Sequence, residues 1–247
     1  MNITILGSGT LLSDVSRKPC AFLLQQGREK ALLDVGPAIL YQLKSLRIDV
    51  LELNTVFFTH FHPDHCADLI PFLLNRYLLH KEANRHLKIY GPVGLQSWFA
   101  TMAGLQGSWL QQALPGLVEL DKNKVNWSDC EVRTWPTHHT AESIAYRFDG
   151  EKTYFFSGDT GYEPDLIEFA RGVDVAFLEC SHRDEHKMDG HLTASEAGQF
   201  ADRAQVGRLI VNHLYPENDT DDLPRRIGRF YKGPVSVAAD LMQIDET

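Results

Sequence analysis

The sequence predicts one domain of mixed α/β class, in which two mixed sheets pack together and helices lie outside. Strand-like and helix-like segments are grouped: strands come first, then helices, and the same order repeats in the second half. Hydrophobic residues make up 43% and aromatic residues 10% of the 247 residues, which is enough to bury a large core. The sequence has no repeat and no linker-like tract, so we expect a single domain over residues 1–247.

The first half opens with strands. Residues 2–6 are a short apolar strand, and the Gly-x-Gly that follows is interpreted as a turn, because alone it is weak evidence for phosphate binding. Residues 21–24 and 30–33 predict a hairpin. Two further strands and three helices follow: strands 55–58 and 89–90, and helices 38–46, 67–79 and 92–114. The most basic window, residues 75–88, is either a solvated helix end or a rim that faces phosphate.

The second half repeats this order with clearer signals. Its Asp-Gly pair at residues 149–150 predicts a hairpin of residues 144–148 and 153–157. Thr193 and Glu196 have the spacing of a capping box, which predicts a helix over residues 193–204. The remaining elements are short: strands 118–120, 130–134, 173–178, 208–212, 235–238 and 241–244, and a helix over residues 221–230.

Charge and cysteine content exclude several classes of protein. Net charge is −9, from 24 Lys and Arg against 33 Asp and Glu, so the chain is a poor generic binder of nucleic acid. The four cysteines are widely spaced without a Cys-x-x-Cys pair, which argues against a cysteine zinc site and a disulfide scaffold. We therefore expect a reducing, cytoplasmic location. Neither a signal peptide nor an apolar run of about 20 residues is visible, so no membrane association is expected.

The most informative segment is Thr-His-Phe-His-Pro-Asp-His, at residues 59–65. It follows an apolar strand-like run, and side chains two apart on extended backbone point the same way, so His60 and His62 can bind one metal ion together. The proline that follows cannot continue a ladder. Asp64 and His65 therefore project differently, toward where a second ion would lie. The segment predicts a metal site rather than a polar loop with unrelated histidines.

The pattern His-x-His-x-Asp-His after an apolar strand resembles the signature of the metallo-β-lactamase superfamily, and the resemblance covers nearly the whole chain. It implies a four-layer αββα sandwich and further metal ligands downstream. Asp159, which follows a strand, is similar to the bridging carboxylate of the superfamily, and His213 is similar to its last ligand histidine. Of the adjacent His138 and His139, the spacing to Tyr146 resembles that of the ribonuclease Z branch and selects His139.

The resemblance implies a centre with two metal ions. The implied ligands are His60, His62, His139 and Asp159 for the first ion, and Asp64, His65, Asp159 and His213 for the second. Nitrogen and oxygen ligands without thiolate suit zinc, with manganese and iron as alternatives. Two such ions share a bridging water, lower its pKa and stabilise the charge that develops in an in-line displacement.

Two residues are implied to act in catalysis. His191 lies in Asp-Gly-His directly before a predicted helix. In the ribonuclease Z and cyclic-phosphodiesterase branches, a histidine at a similar place contacts the phosphate or protonates the leaving oxygen. The alternative is that His191 merely starts the helix. The general-base role of the family falls on Asp64, in addition to its metal role.

Other residues would support the site. Asp34, in Asp-Val-Gly after the second strand of the first hairpin, would brace the metal-binding loop, cap the helix that follows, or both. Glu179 is a candidate to orient a ligand histidine. His182 and His186 are interpreted as residues of the rim.

Among the branches of the superfamily, phosphodiesterases are the most similar to this sequence. The contexts of His139 and His191 resemble ribonuclease Z. Only 20 residues lead from His139 to Asp159, so the long basic arm with which ribonuclease Z clamps tRNA is absent. The expected substrate is therefore a small or cyclic phosphodiester or a short nucleic acid, and tRNA is not expected.

Two alternative functions stay open. A lactonase or esterase would use the same metal centre, with Tyr162 or Tyr215 to polarise the carbonyl. A non-hydrolytic metal-binding protein, such as a cofactor carrier, would bind an intact small molecule without turnover. The resemblance also implies a homodimer, for which the apolar residues 95–117 are a candidate interface.

Overall fold

The structure is a computed structural model that describes residues 1–12 and 15–244. The described strands are β1 Asn2–Gly7, β2 Ala21–Gln26, β3 Glu29–Leu33, β4 Thr55–Phe57, β5 Lys88–Pro92, β6 Gly116–Leu120, β7 Lys124–Trp127, β8 Cys130–Pro136, β9 Ile144–Asp149, β10 Thr153–Phe156, β11 Val175–Glu179, β12 Arg208–Asn212, β13 Val235–Val237 and β14 Gln243–Ile244. The described α-helices are α1 Ile39–Ser45, α2 Pro63–Cys66, α3 Leu69–Leu79, α4 Leu95–Gly104, α5 Ser108–Gln111, α6 Pro164–Phe169, α7 Ala194–Arg203 and α8 Leu223–Ile227.

These strands form two seven-stranded sheets. The first sheet has the order β14-β1-β2-β3-β4-β5-β6, and the second has the order β13-β12-β11-β10-β9-β8-β7. From β14 to β3 the pairing is antiparallel, and from β3 to β6 it is parallel. The second sheet is antiparallel from β7 to β10 and parallel from β10 to β13. The expected pair of mixed sheets is confirmed.

Three apolar clusters separate four layers. Aromatic rings dominate the cluster between the two sheets, where Phe22 contacts Phe156 and Phe177 edge-on and Phe57 contacts Tyr146 edge-on. A second cluster packs the first sheet against α1, α3 and α4, and a third packs the second sheet against α6, α7 and α8. Both faces of each sheet are thus covered, as parallel pairing requires. The implied four-layer αββα sandwich is confirmed.

Two predicted helices have different bounds in the structure, and one of them is divided. The segment predicted as a helix over residues 92–114 begins with the end of β5 and then contains α4 and α5. Gly94 and Gly107 have φ of 102° and 76°, values that favour glycine and interrupt a continuous helix. The helix predicted over residues 67–79 begins only at Leu69, after the separate short helix α2. Three of the described strands and α-helices have no counterpart among the predictions: β7, α2 and α6.

The basic window at residues 75–88 surrounds a buried arginine that neither interpretation predicted. Arg76 is only 2% exposed, and its guanidinium donates to the carbonyl oxygens of Val50, Leu53 and Ala83. It therefore joins α3 to two neighbouring turns. The five other basic residues of the window are exposed: His80, Lys81, Arg85, His86 and Lys88. The window is a solvated surface around one structural arginine.

Arg76→Ala is expected to lower the free energy of unfolding by about 3 kcal/mol, because it leaves buried carbonyl groups without a donor. Urea denaturation followed by tryptophan fluorescence measures this change. Arg225→Ala, which removes an exposed arginine of α8, is the matched control and is expected to stay within about 0.5 kcal/mol of the parent protein. Equal stability of the two variants would contradict the structural role of Arg76.

Candidate metal centre

The loop after β4 carries the residues of the histidine-rich motif. His62 has extended backbone, with φ −64° and ψ 147°, and precedes α2, which begins with Pro63. Proline is well suited to a first helical turn, because its missing N–H would have no partner in the helix. The chain therefore changes from extended to helical in the middle of the motif. His60 and His62 lie on the extended part, and Asp64 and His65 lie on α2.

Asp34 braces this loop. Its Oδ1 accepts from the backbone N–H of Thr59 at 2.9 Å, and its Oδ2 accepts from the Thr59 hydroxyl and from His65 Nδ1, both at 2.8 Å. The N–H of Ile39, at the start of α1, donates instead to the carboxylate of Asp68. The bracing role of Asp34 is therefore confirmed, and the interpretation of Asp34 as the cap of this helix is wrong.

One group of side chains gathers around Asp159 Oδ2. This oxygen lies 3.8 Å from His60 Nε2 and 3.6 Å from His139 Nε2. His139 Nε2 lies 3.0 Å from His62 Nδ1. One nitrogen or oxygen from each of these four residues lies within 4.8 Å of the others, a spacing that can hold one metal ion.

A second group gathers around the other oxygen of the same carboxylate. Asp159 Oδ1 lies 3.3 Å from His65 Nε2 and 3.4 Å from His213 Nε2. Asp64 Oδ2 completes the group, at 3.3 Å from His213 Nε2 and 4.0 Å from His65 Nε2. The two oxygens of Asp159 thus face different histidines, and the structure brings together all seven residues that the sequence singled out as metal ligands.

The hydrogen bonds of four histidines fit metal binding. Each uses Nδ1 toward a backing oxygen, which leaves Nε2 facing the cluster: His60 to Thr59, His65 to Asp34, His139 to Gly190 and His213 to Ser181. Among the described residues, His60 Nε2, His65 Nε2 and Asp159 Oδ1 are buried without a hydrogen-bond partner. Buried polar atoms rarely lack a partner, so cations with nitrogen and oxygen ligands fit these residues.

The charges of the cluster favour a cation. Burial opposes ionisation of Asp159, but the rings of His213 and His65 hold the pKa of its carboxyl well below its usual range. Burial, with the neighbouring His65, lowers the pKa of His60 well below its usual range. For His65 burial acts in the same direction, yet the carboxylates of Asp159 and Asp34 outweigh it and raise the pKa of His65 well above its usual range. The Asp159 carboxylate is therefore ionised among the converging Nε2 atoms.

His191 lies beside this cluster and is held by a buried carboxylate. Its Nδ1 donates to Glu179 Oε1 at 2.9 Å, and one of its nitrogens lies within 4.8 Å of ligand atoms of Asp159 and His213. Burial lowers the pKa of His191, but the charge and hydrogen bond of Glu179 outweigh it and raise the pKa to about 9. Glu179 also accepts from the hydroxyl of Ser181, which in turn contacts His213 Nδ1. Glu179 thus orients His191 directly and His213 through Ser181.

The other histidines named by the sequence lie around the cluster. His138 Nε2 contacts Asp189 at 2.9 Å, and its side chain is half exposed, so His139 alone of the adjacent pair faces Asp159. His182 Nδ1 and His186 Nδ1 donate to the two oxygens of Glu217, at 2.9 and 2.8 Å. His182 is buried beside the ring of His191, and His186 is exposed.

A model of the Beta-lactamase superfamily domain matches residues 30–214, which is more than half of the chain. The chain belongs to the beta-lactamase superfamily. The probable metallo-hydrolase YhfI of Bacillus subtilis (strain 168) is 24% identical to it, over 96% of this chain and 97% of that protein. A ribonuclease Z of Mycobacterium sp. (strain KMS) is 26% identical, over 87% of this chain and 85% of that protein. The prediction of a metal-dependent hydrolase is confirmed by the superfamily and by these named relatives.

Solved structures of the superfamily share the fold. The crystal structure of YhfI has a TM-score of 0.88 at 22% identity and covers 98% of both chains. A diphosphatase from the PhnP family has a TM-score of 0.78 at 18% identity, and the match covers 98% of this chain and 96% of that one.

Among the described residues, no helix has the length and apolar character needed to cross a bilayer.

The two tyrosines considered for carbonyl polarisation differ in position within the superfamily fold. The hydroxyl of Tyr162 accepts from Arg203, and its ring packs in the cluster between the second sheet and its helices. Tyr215 lies near the metal-ligand cluster, with its ring centroid 6.0 Å from that of His213. Burial, together with the charges of Asp159 and Asp64, raises the pKa of Tyr215 to about 12, so the phenol keeps its proton.

Three supporting residues were not assigned a role from the sequence. Thr59 joins Asp34 to His60 Nδ1, and Ser181 joins Glu179 to His213 Nδ1. The buried hydroxyl of Tyr146 donates to the carbonyl of Phe58 at 2.8 Å, just before the histidine motif. The signal that could have found Thr59 and Ser181 is their place: each is a hydroxyl residue within two residues after a buried strand.

Proposed function

We propose that the protein is a phosphodiesterase that uses two divalent metal ions and acts on a small or cyclic phosphodiester or a short nucleic acid. The proposal rests on the orientation of the Asp159 carboxylate, whose two oxygens face two different groups of histidines. The proposed ligands are His60, His62, His139 and Asp159 for one ion, and Asp64, His65, Asp159 and His213 for the other. Zinc suits these nitrogen and oxygen ligands, and manganese and iron are the alternatives.

Such a pair of ions supplies Lewis acidity, which makes a water acidic and stabilises charge on phosphoryl oxygens. The residues of the chain orient the ligands and handle the protons. Because Glu179 holds His191 through Nδ1, His191 Nε2 is the atom proposed to donate a proton to the leaving oxygen. Asp64, whose Oδ2 lies 3.3 Å from His213 Nε2, is proposed as the general base, as the family resemblance implies.

The short segment between His139 and Asp159 favours the proposal of a small substrate. The hairpin of β9 and β10 occupies most of the 20 residues from one to the other, so no long basic arm extends from this position. A net charge of −9 also disfavours a long polyanion, whose binding depends on many Lys and Arg residues. The four cysteines are free and buried, which supports the expected cytoplasmic location.

A lactonase or esterase is the second candidate. The observation that favours it is the position of Tyr215 near the metal-ligand cluster, where a phenol can polarise a carbonyl. Tyr162 is a poorer candidate for this role, because its hydroxyl contacts Arg203. A non-hydrolytic binding protein would retain the same ligands and bind an intact small molecule without turnover.

Hydrolysis of bis-p-nitrophenyl phosphate by zinc-loaded and manganese-loaded protein tests the proposal. We expect turnover that disappears when a chelator removes the metal ions. It should return when zinc or manganese is added back. His86→Ala, which removes an exposed histidine far along the chain from the motif, is the control and should retain activity. No turnover with two ions bound would favour lactones and esters as substrates, and then a binding role.

Glu179→Gln is expected to lower kcat about 10–100-fold at saturating metal, because it weakens the group that orients His191 directly and His213 through Ser181. Steady-state kinetics, combined with metal analysis of the same sample, measures kcat and the metal content. Glu151→Gln, at an exposed position before β10, is the control. If the variant lost its metal ions and kept its activity per bound ion, Glu179 would act on the metal ligands rather than on His191.

A further inference from the structure

Tyr215 lies beside the proposed proton donor, His191, and a proposed metal ligand, His213. Its ring centroid is 6.2 Å from that of His191 and 6.0 Å from that of His213, and it meets both rings nearly at right angles. The side chain is partly exposed. The centroids of His191 and His213 are themselves 5.9 Å apart, so the three rings are mutual neighbours.

The Tyr215 ring packs against a buried histidine, His182. It stacks on His182 with a centroid separation of 4.7 Å and an interplanar angle of 28°. Glu217 accepts from His182 Nδ1 at 2.9 Å, and the same carboxylate accepts from His186. His182 is buried, with 6% of its surface exposed, so the stack offers Tyr215 a fixed support rather than a mobile one.

The Tyr215 hydroxyl is not used by the fold. No hydrogen bond to it is formed within residues 1–12 and 15–244, whereas the buried hydroxyls of Tyr146, Tyr154 and Tyr231 each donate to a backbone carbonyl. A buried tyrosine hydroxyl usually has a partner, as those three do, whereas Tyr215 is partly exposed and its donor stays available. A fixed ring with a free donor is therefore suited to a substrate oxygen.

We infer that Tyr215 is a further catalytic residue, whose hydroxyl donates a hydrogen bond to a non-bridging phosphoryl oxygen of the substrate. The inference rests on the proposed phosphodiesterase function. The non-bridging oxygens gain negative charge in the transition state, and a fixed donor aimed at them is worth more there than in the ground state. In this arrangement Tyr215 stabilises charge, and His191 transfers the proton.

Two substrates with different leaving groups separate these roles. Methyl p-nitrophenyl phosphate and methyl phenyl phosphate share one ester group and differ in the basicity of the departing oxygen. Tyr215→Phe keeps the ring and its stack on His182 and removes only the hydroxyl. We expect it to lower kcat/KM roughly 10–100-fold by the same factor for both substrates, with unchanged metal content. Tyr41→Phe, on the exposed face of α1, is the matched control and should equal the parent protein.

Binding of inorganic phosphate to the zinc-loaded protein, measured by calorimetry, gives a second readout that needs no turnover. Tyr215→Phe is expected to weaken this binding about 10-fold, because one charge-assisted hydrogen bond is lost. If the parent protein hydrolysed no diester, the proposed function would fail, and the phosphate measurement would still decide the role of Tyr215. Parental kinetics and parental phosphate affinity in Tyr215→Phe would overturn the inference, and so would a loss that grows with the basicity of the leaving group.

Discussion

Asp159→Asn is expected to abolish hydrolysis, with a fall in kcat of about 10³-fold or more. The reason is that a single carboxylate serves both groups of histidines, through Oδ2 to His60 and His139 and through Oδ1 to His65 and His213. An amide offers one oxygen and one NH2 group, so one of the two groups would face a donor instead of an acceptor. Metal analysis should then show loss of at least one ion per chain.

The matched control for this variant is Asp121→Asn, at an exposed position directly after β6. It should retain parental activity and metal content. Two ions per chain in Asp159→Asn, with activity within a few-fold of the parent, would contradict the assignment of Asp159 as the shared ligand.

His191→Ala is expected to lower kcat about 10²–10⁴-fold for a substrate with a basic leaving group, which is the usual contribution of a general acid. The loss should be smaller for p-nitrophenyl esters, because p-nitrophenolate leaves without much help from a proton. Metal content should remain at the parental value, because His191 is not among the seven proposed metal ligands. Kinetics with methyl phenyl phosphate and methyl p-nitrophenyl phosphate measure the difference.

His80→Ala, at an exposed position at the end of α3, is the control for the loss of an imidazole. A loss in His191→Ala that is equal for both leaving groups would argue against proton donation. Loss of metal ions in the same variant would instead make His191 a ligand, which its distance from Asp159 and His213 also permits.

Much of the site could be predicted from the sequence because many of its residues come directly after a strand. The histidine motif follows β4, Asp159 follows β10 and His213 follows β12, so each lies at the same end of a strand. Parallel neighbours such as β10, β11 and β12 bring their carboxyl ends to one edge of the sheet. The ligands therefore converge once the strands pair. Their place after the strands in the sequence already indicates that they meet at the carboxyl ends.

What the sequence could not predict depends on contacts between distant segments. The burial of Arg76 requires carbonyl groups from the turns before β4 and after α3, and nothing in its own helix reveals them. The stack of Tyr215 on His182 joins two loops that are 33 positions apart in the chain. The division of the helix predicted over residues 92–114 depends on the positive φ of Gly94 and Gly107, which an apolar, aromatic-rich pattern conceals.

The central claim is that two metal ions lie on either side of Asp159. A crystal structure of the zinc-loaded protein, with anomalous diffraction measured at the zinc edge, tests this claim most directly. We expect two anomalous peaks about 3.5–4 Å apart, one beside His60, His62 and His139 and the other beside Asp64, His65 and His213. A single peak at full occupancy, or two peaks that do not share Asp159, would contradict it.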